Sequence, residues 1–518
     1  MTLRSPLRLW LVLLPGLLAF MAPGCGGSGG SAAQAPTTPQ AAATPTFAPP
    51  PGAFSAPTAV TLACSTPGAA IHFTLGESAP TAGSPVYTAP IILTKSGSIK
   101  AIAMKPGMAD SAVIAGSYTI TAPARPRLIL YNEPNNIKMT PDLIAKNADF
   151  LDTMPFDGLY VSLGELSNHV MDGEPVAYGT FAAALAPMKA KKLKNATQNF
   201  ALVLSAPTAL PDFFDDWTTP VQNFANLARA ARDAGLVGIA FDNEDYNLEP
   251  GSLFPPWSTY PDKCNCKYAS TKTLAEYQTQ VHARGTEIMA AMIKEFPAIV
   301  VVNLIGPYNS EPKSPSETGV IGVSNEFQGP LFVGFVEAAK GSTAKVVDDA
   351  ELYDLRTDTE FGTAYKFRKV DIASDAVNSA FIPASLRPFW PTSVDVGFGL
   401  FDLDSKKSFT LLDVAVARSN ITNALRHSDS WVWLFTEKID FLNPESAGGA
   451  PAAWVDAVRK GKEDGLAGWK PPWPVRPSEP APGAAIHSTL GGSTPTAGSP
   501  VHQHRSPWRK AGPSKPPR

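Results

Sequence analysis

Between residues 125 and 475 short apolar runs alternate with longer amphipathic stretches, and this alternation constrains the fold more than any other feature of the chain. Eight runs have the length and composition of buried strands: 128–131, 158–163, 200–205, 237–241, 299–305, 345–347, 394–401 and 430–435. Helical periodicity fills most of the gaps, as in 221–234, 273–296, 331–339 and 411–426. Strands apolar on both faces must be covered on both faces, which parallel strands with crossover helices achieve. Eight such units over about 350 residues predict an α/β fold, a (β/α)8 TIM barrel with enlarged loops. A doubly wound sheet is the alternative, but no glycine-rich nucleotide loop follows the first run.

Residues 46–121 read differently. Ala59 to Cys64 and Ala70 to Leu75 alternate, and Ile91 to Leu93, Ser98 to Ala103 and Ser117 to Ile120 follow, divided by Pro, Gly and Ser. Short strands at close intervals predict a small all-β sandwich ahead of the barrel. Thr66-Pro67-Gly68-Ala69-Ala70-Ile71-His72-Phe73-Thr74, then Pro80-Thr81, Pro85-Val86-Tyr87 and Ile99 to Ala103, resemble the chitobiase/β-hexosaminidase C-terminal module. Leu75-Gly76-Glu77 departs from it, where members often carry an Asp-Gly turn. The resemblance implies an immunoglobulin-like accessory domain that accompanies glycan-degrading enzymes and is not itself catalytic. Cys64, on an apolar strand, is expected to be a buried thiol.

Both ends of the chain are unlike globular sequence. Arg4 and Arg8 precede an apolar run from Leu9 to Met21, too short for a membrane span and suited to a signal peptide. Ala22-Pro23-Gly24-Cys25 follows and resembles a bacterial lipoprotein signal, which implies lipidation of Cys25 and anchoring of an exported protein to a membrane. Ordinary cleavage, with Cys25 removed or left as a free thiol, is the alternative. Residues 26–45 are Gly, Ser, Ala, Pro, Thr and Gln without apolar period, a flexible tether. At the far end Pro67 to His72 recurs as Pro482 to His487, and the likeness runs on to Val501 before the strand pattern stops. Residues 476–518 are therefore read as a linker and a truncated second copy of the module. A frameshift would produce such a break.

Chemistry is sought where the barrel runs end, because barrels of this kind carry their reacting groups there. Carboxylates recur at those positions: Glu133, Glu165, Asp242-Asn243-Glu244-Asp245, Asp348-Asp349-Ala350-Glu351, Asp402 and Glu437. The fourth run is the most informative. Val237, Ile239 and Phe241 are bulky and are expected to face helices, while Gly238 and Ala240 suit a barrel interior. Asp242 and Glu244 continue the inward series and emerge together at the rim. Two acids on one face shift each other's titration and can divide acid and base roles, as glycoside hydrolysis requires.

The segment is similar to the strand-four motif of family 18 chitinases, Asp-Gly-x-Asp-x-Asp-x-Glu. Gly238, Ile239, Asp242 and Glu244 match it, while Val237 and Ala240 replace its first two acids. The resemblance implies Glu244 as general acid and Asp242 as the residue that orients substrate. Asn243-Glu244 is also similar to the strand-four Asn-Glu pair of retaining barrel glycosidases. That clan's nucleophile Glu lies on strand seven, where this chain offers Asp402.

Glu351 and Glu437 compete for the second carboxylate role. Glu133, Tyr246, Asn303, Tyr353, Asp402 and Trp433 are candidates for substrate contact, with Trp257 and Tyr260 further cleft aromatics. Trp431 and Trp433 either stack on sugar rings or fill the core. Cys264-Asn265-Cys266 lacks ligands at metal spacing nearby, and His169, His282 and His427 are scattered, so no metal or cofactor is expected. A net charge of −3 offers no basic surface for nucleic acid. The function expected is glycoside hydrolysis of an oligo- or polysaccharide. A glycan-binding lipoprotein on a degenerate, inactive barrel is the rival, and an esterase or amidase is disfavoured by the lack of a nucleophile motif.

Overall fold

A computed structural model describes residues 39–54, 58–93, 95–120, 125–205, 211–243, 266–309, 311, 327–442 and 451–472. The leader, the lipidation site Cys25 and the repeated tail lie outside the described residues.

The first described unit is a two-sheet sandwich. Thr46–Ala48, Thr58–Ala63 and Ile91–Leu93 form one antiparallel sheet. Gly52–Phe54, Ile114–Ile120, Gly97–Met104 and Ala70–Leu75 form the other, in that order. Val60, Leu62, Ile71, Ile99 and Tyr118 fill the space between them. The Tyr118 hydroxyl donates to the Pro49 carbonyl at 3.0 Å, and burial pushes its pKa up to about 12. Cys64 is only half-buried, because its thiol sits beside the Ala43 carbonyl at 3.1 Å at the sheet margin and not in the core.

The larger unit is the expected barrel. Strand one is Arg127–Asn132, two Gly158–Ser162, three Phe200–Leu204, four Gly238–Asp242, five Val300–Asn303 and six Lys345–Asp348. Strand seven comes in two pieces, Val394–Val396 and Phe398–Phe401, and strand eight is Trp431–Thr436. The first piece of strand seven pairs with strand six and the second with strand eight, so the interruption at Gly397 is where the all-parallel ring closes. The Gly397 amide still donates to the Asp348 carbonyl at 2.9 Å, and that of Gly399 to Ala350 at 3.0 Å. A side chain on Gly397 would run into the Trp431 carbonyl and the Asp349 carboxylate.

Alternation sorts the strand residues. Ile239 and Phe241 join the core between strands and helices, where Phe241 meets Phe224 edge-on at 5.8 Å, and Ala240 joins the interior cluster. Val237 departs from expectation: it lies before the strand begins and packs against the interior cluster. Helix Leu274–Glu295 starts on a capping box between Thr273 and Glu276. It lies so close to helix Gln328–Ala339 that a side chain at Gly285 would strike the Leu331 carbonyl.

Strands four and five are equally close at the base of the barrel, where Gly238 faces the Val300 carbonyl. Gly238→Ala should therefore cost more than about 3 kcal/mol, since backbone must move to admit it. Gly179→Ala, in helix Tyr178–Ala190 with nothing within 4 Å of the new methyl, should leave stability nearly unchanged. Denaturant midpoints of the two variants would decide, and equal losses would contradict the account.

Candidate active site

The interior series of strands one, two and eight ends in aromatic rings. Tyr131 and Tyr160 lie 5.7 Å apart, and Trp433 lies 5.9 Å from each. The Trp433 indole donates to the Asp349 carbonyl at 3.1 Å, and Gly399 leaves room for the ring. Tyr353, past strand six, meets Trp433 edge-on at 6.1 Å and Phe401 at 5.0 Å. Trp433 is fully buried, so it belongs to the floor of the barrel mouth. Trp431, one interior layer below, packs against Phe200 and is core.

Three acids continue the interior series above or beside this floor. Glu133 follows strand one, its amide tied to the Thr436 carbonyl at 2.9 Å, and its Oε1 is buried without a hydrogen-bond partner. Burial pushes its pKa up to about 7; Lys138 pulls it down and the charge of Asp242 pushes it further up. Asp242 ends strand four and is almost fully buried. Asp349, two residues beyond the inward Val347, is fully buried with neither carboxylate oxygen hydrogen-bonded. Burial raises its pKa strongly, Arg368 opposes this, and Asp348 adds to it. The Tyr160 hydroxyl, also buried and unpartnered, is pushed up by burial and then by the charges of Asp349 and Asp242.

In the outward series Asp402 and Asn243 clamp backbone. Asp402 accepts amide hydrogens from Glu437, Lys438 and Ile439 at 3.2, 2.9 and 2.8 Å and thereby fixes the loop after strand eight. Burial nevertheless pushes it up to about 6, against those three amides. Asn303 alternates with the inward Val302 and so faces the helices, fully buried. Parity thus turns Asn303 toward the helices, and its three amides tie Asp402 to the loop, so neither joins Glu133 and Asp242 in the interior series. Asn243 is likewise a clamp: its side chain exchanges hydrogen bonds with the Ile305 backbone at 2.9 and 3.0 Å.

Of the other residues chosen from sequence, Glu244, Tyr246, Trp257, Tyr260 and Cys264 lie outside the described residues. Glu133, Asp242, Tyr353 and Trp433 come together at the mouth. Glu351 lies past strand six, its backbone bridged to Gly399, and Glu437 is half-buried beside Lys438 at 3.4 Å. The acids that act on Glu133 and Tyr160 are Asp242 and Asp349. Glu165 is exposed on a short 3-10 turn. Cys266 is disulfide-bonded, its partner outside the described residues. His169, His282 and His427 sit in separate pairs with Asp172, Glu337 and Asp358. Asp349 and Tyr160 are the residues that sequence reasoning missed. Counting by twos from Val347 and Gly158 would have found both.

The sequence profile of the Chitobiase/beta-hexosaminidase C-terminal domain matches residues 49–115. The sandwich is thus similar to that domain, as its motifs implied; the match covers none of the barrel. No curated protein matches the chain. Among similar solved structures is the catalytic domain of a beta-amylase from Paenibacillus polymyxa, 9% identical, covering 68% of this chain and 100% of its own, TM-score 0.39. Active domain 2 of a chitinase from Pyrococcus furiosus is 8% identical, covering 66% and 97%, TM-score 0.36. The 3-keto-D-glucoside 4-epimerase from E. coli is 10% identical, covering 65% and 98%, TM-score 0.32. Glycoside hydrolases are thus among the similar structures, but scores this low carry no argument about activity. The barrel is argued from its own strand order.

The protonation of Glu133 has a consequence for stability. An acid whose pKa is higher in the folded chain than in the unfolded one stabilises the fold at low pH. That contribution is lost as pH rises through the folded value. A rise from 4.5 to about 7 corresponds to on the order of 3 kcal/mol. The wild type should lose stability between about pH 5 and 8, and Glu133→Gln should flatten that decline. Urea midpoints across this range test it, and an unchanged slope in the variant would refute the assignment.

Proposed function

We propose that the barrel is a glycoside hydrolase whose substrate is an oligo- or polysaccharide. The observation that carries this reading is the pair Glu133 and Asp242, buried acids that act on each other's charge above an aromatic floor. A carboxyl group raised to about 7 by burial, beside a second carboxylate that acts on it, is the kind of pair that acetal cleavage employs. Beneath the acids, the packed rings of Tyr131, Tyr160 and Trp433 form a buried floor that fixes their positions. The sandwich adds weight, because the domain family it matches takes its name from two glycan-degrading enzymes.

In this reading Glu244 remains the general acid/base, as its place in the sequence motif suggests, and Asp242 orients substrate and stabilises charge. Glu133 takes the place that sequence assigned to Glu351 or Glu437. Glu244→Gln keeps shape but cannot deliver a proton, so turnover should fall by about 10²–10⁴-fold with the fold intact. A polysaccharide panel with reducing-end detection provides the assay. Wild-type-like rates in Glu244→Gln would remove that role. Glycan binding without any turnover in the wild type would favour the rival, an inactive binding barrel.

We also propose that the protein is exported and anchored through a lipidated Cys25, on the basic, apolar and Gly-Cys pattern of the leader. Intact-mass analysis of the native protein should find a diacylglyceryl group at Cys25; a mature terminus elsewhere would refute it.

A further inference from the structure

We propose that the mouth selects a glycosyl unit carrying a free ammonium group, so that the preferred glycan is a cationic amino-sugar polymer and not a neutral or N-acylated one. This rests on the glycosidase reading for the glycan itself, and deepens it by naming the charge of the substrate.

Four buried polar atoms at the upper end of the interior series, above the layer of Trp431, have no hydrogen-bond partner: Glu133 Oε1, Tyr160 Oη and both carboxylate oxygens of Asp349. Such atoms are costly unless something satisfies them. Three belong to carboxylates, and the fourth is a phenol lying within the fields of Asp349 and Asp242. Among the described residues, the cations that act on these acids are Lys138 on Glu133 and Arg368 on Asp349. Arg368 is committed elsewhere: it donates to the Asp348 carbonyl and carboxylate at 3.0 and 3.3 Å and to the Gly397 carbonyl at 2.8 Å. Among the described residues, Glu133 and Asp349 thus meet only one cation each, and that of Asp349 is already engaged.

A cation that enters would meet the carboxylate of Glu133, which attracts positive charge, above the buried rings of Tyr131, Tyr160 and Trp433. A metal ion is the poorer occupant, since among the described residues no three His, Cys, Asp or Glu groups come close enough to hold one. An ammonium brings three donors and needs no coordination shell. A sugar hydroxyl brings one donor and no charge, and an N-acetyl group only one amide hydrogen. Glu133, at the top of the series, is the contact residue. Asp349 lies beside the floor and acts through its field and through Tyr160, so it is a positioning residue.

The test pairs each amino-sugar oligomer with its N-acetylated and its hydroxyl counterpart, using glucosamine and galactosamine series and the full chain. Turnover should favour the free amine by at least tenfold in kcat/KM, equivalent to about 1.4 kcal/mol. Equal or better cleavage of N-acetylated or neutral oligomers would overturn the proposal while leaving the hydrolase reading intact. If no oligomer is cleaved, calorimetry separates the two claims. Tenfold tighter binding of the free amine sustains this inference and sinks the hydrolase reading, and binding without preference or no binding overturns it. Asp349→Asn should narrow the amine-to-neutral ratio at least fivefold, a change that a purely structural role would not produce. Tyr160→Phe serves as the second variant where Asp349→Asn does not fold. An unchanged ratio in every variant that folds would overturn the assignment.

Discussion

A guanidinium sealed from solvent must find its partners inside the protein, and Arg368 finds them where strand six meets strand seven. It reaches the Asp348 carbonyl and carboxylate, the Gly397 carbonyl and the Ala364 carbonyl, and lies over the Phe398 ring at 4.4 Å. Gly397 is where strand seven leaves strand six for strand eight, so its carbonyl has no continuous ladder to rely on. Arg368 satisfies that carbonyl and holds the join closed. Losing one member of such a buried pair commonly costs about 3–5 kcal/mol, because the other charge is left stranded. Here the stranded charge would be Asp348, at the point on which ring closure depends.

The same contact decides what strand six offers the mouth. Asp348 and Asp349 are adjacent, and one faces out while the other faces in. The outward acid takes the arginine; the inward one is left beside the aromatic floor with its pKa raised by burial. A similar division runs round the rim. Asp402 is outward and is spent on three loop amides, while Glu133 and Asp242 are inward and act on each other. Acids of one kind knit the loops together, and of the other kind Glu133 and Asp349 are pushed toward their neutral forms by burial.

Much of this was legible in the sequence. Eight apolar runs correspond to eight barrel strands, since buried parallel strands must be apolar on both faces. Strand four could be read residue by residue because its two faces differ so much in size, Gly238 and Ala240 against Ile239 and Phe241. Strand six offered no such contrast. Its two aspartates are the same letter, and the arginine that tells them apart lies on helix Asp358–Lys369. The hydrogen bonds of Asp402 were hidden for a related reason, since the amides it binds belong to the loop after the next strand. The elevated pKa of Glu133 needs the barrel to exist, because its causes are burial and a neighbour on strand four.

Burying like-charged acids without matched cations weakens a fold, and the rest of the barrel compensates at its opposite end. There Lys345 meets Asp395 at 3.0 Å, Lys369 meets Asp429 at 2.8 Å, and Ser430 donates to Asp395. Asp395 is held down to about 2 by Lys345 and Lys369 despite its burial, the reverse of what happens to Glu133. Among the described residues, the acids at the base of the barrel are thus paired with lysines, while Glu133 and Asp349 keep unpartnered oxygens. Stability alone would favour matching both ends, because each unmatched acid makes the fold less stable as pH rises. Among the described residues, the acids with unpartnered oxygens lie over or beside the aromatic floor, and groups with perturbed titration cluster in this way at functional sites more often than elsewhere.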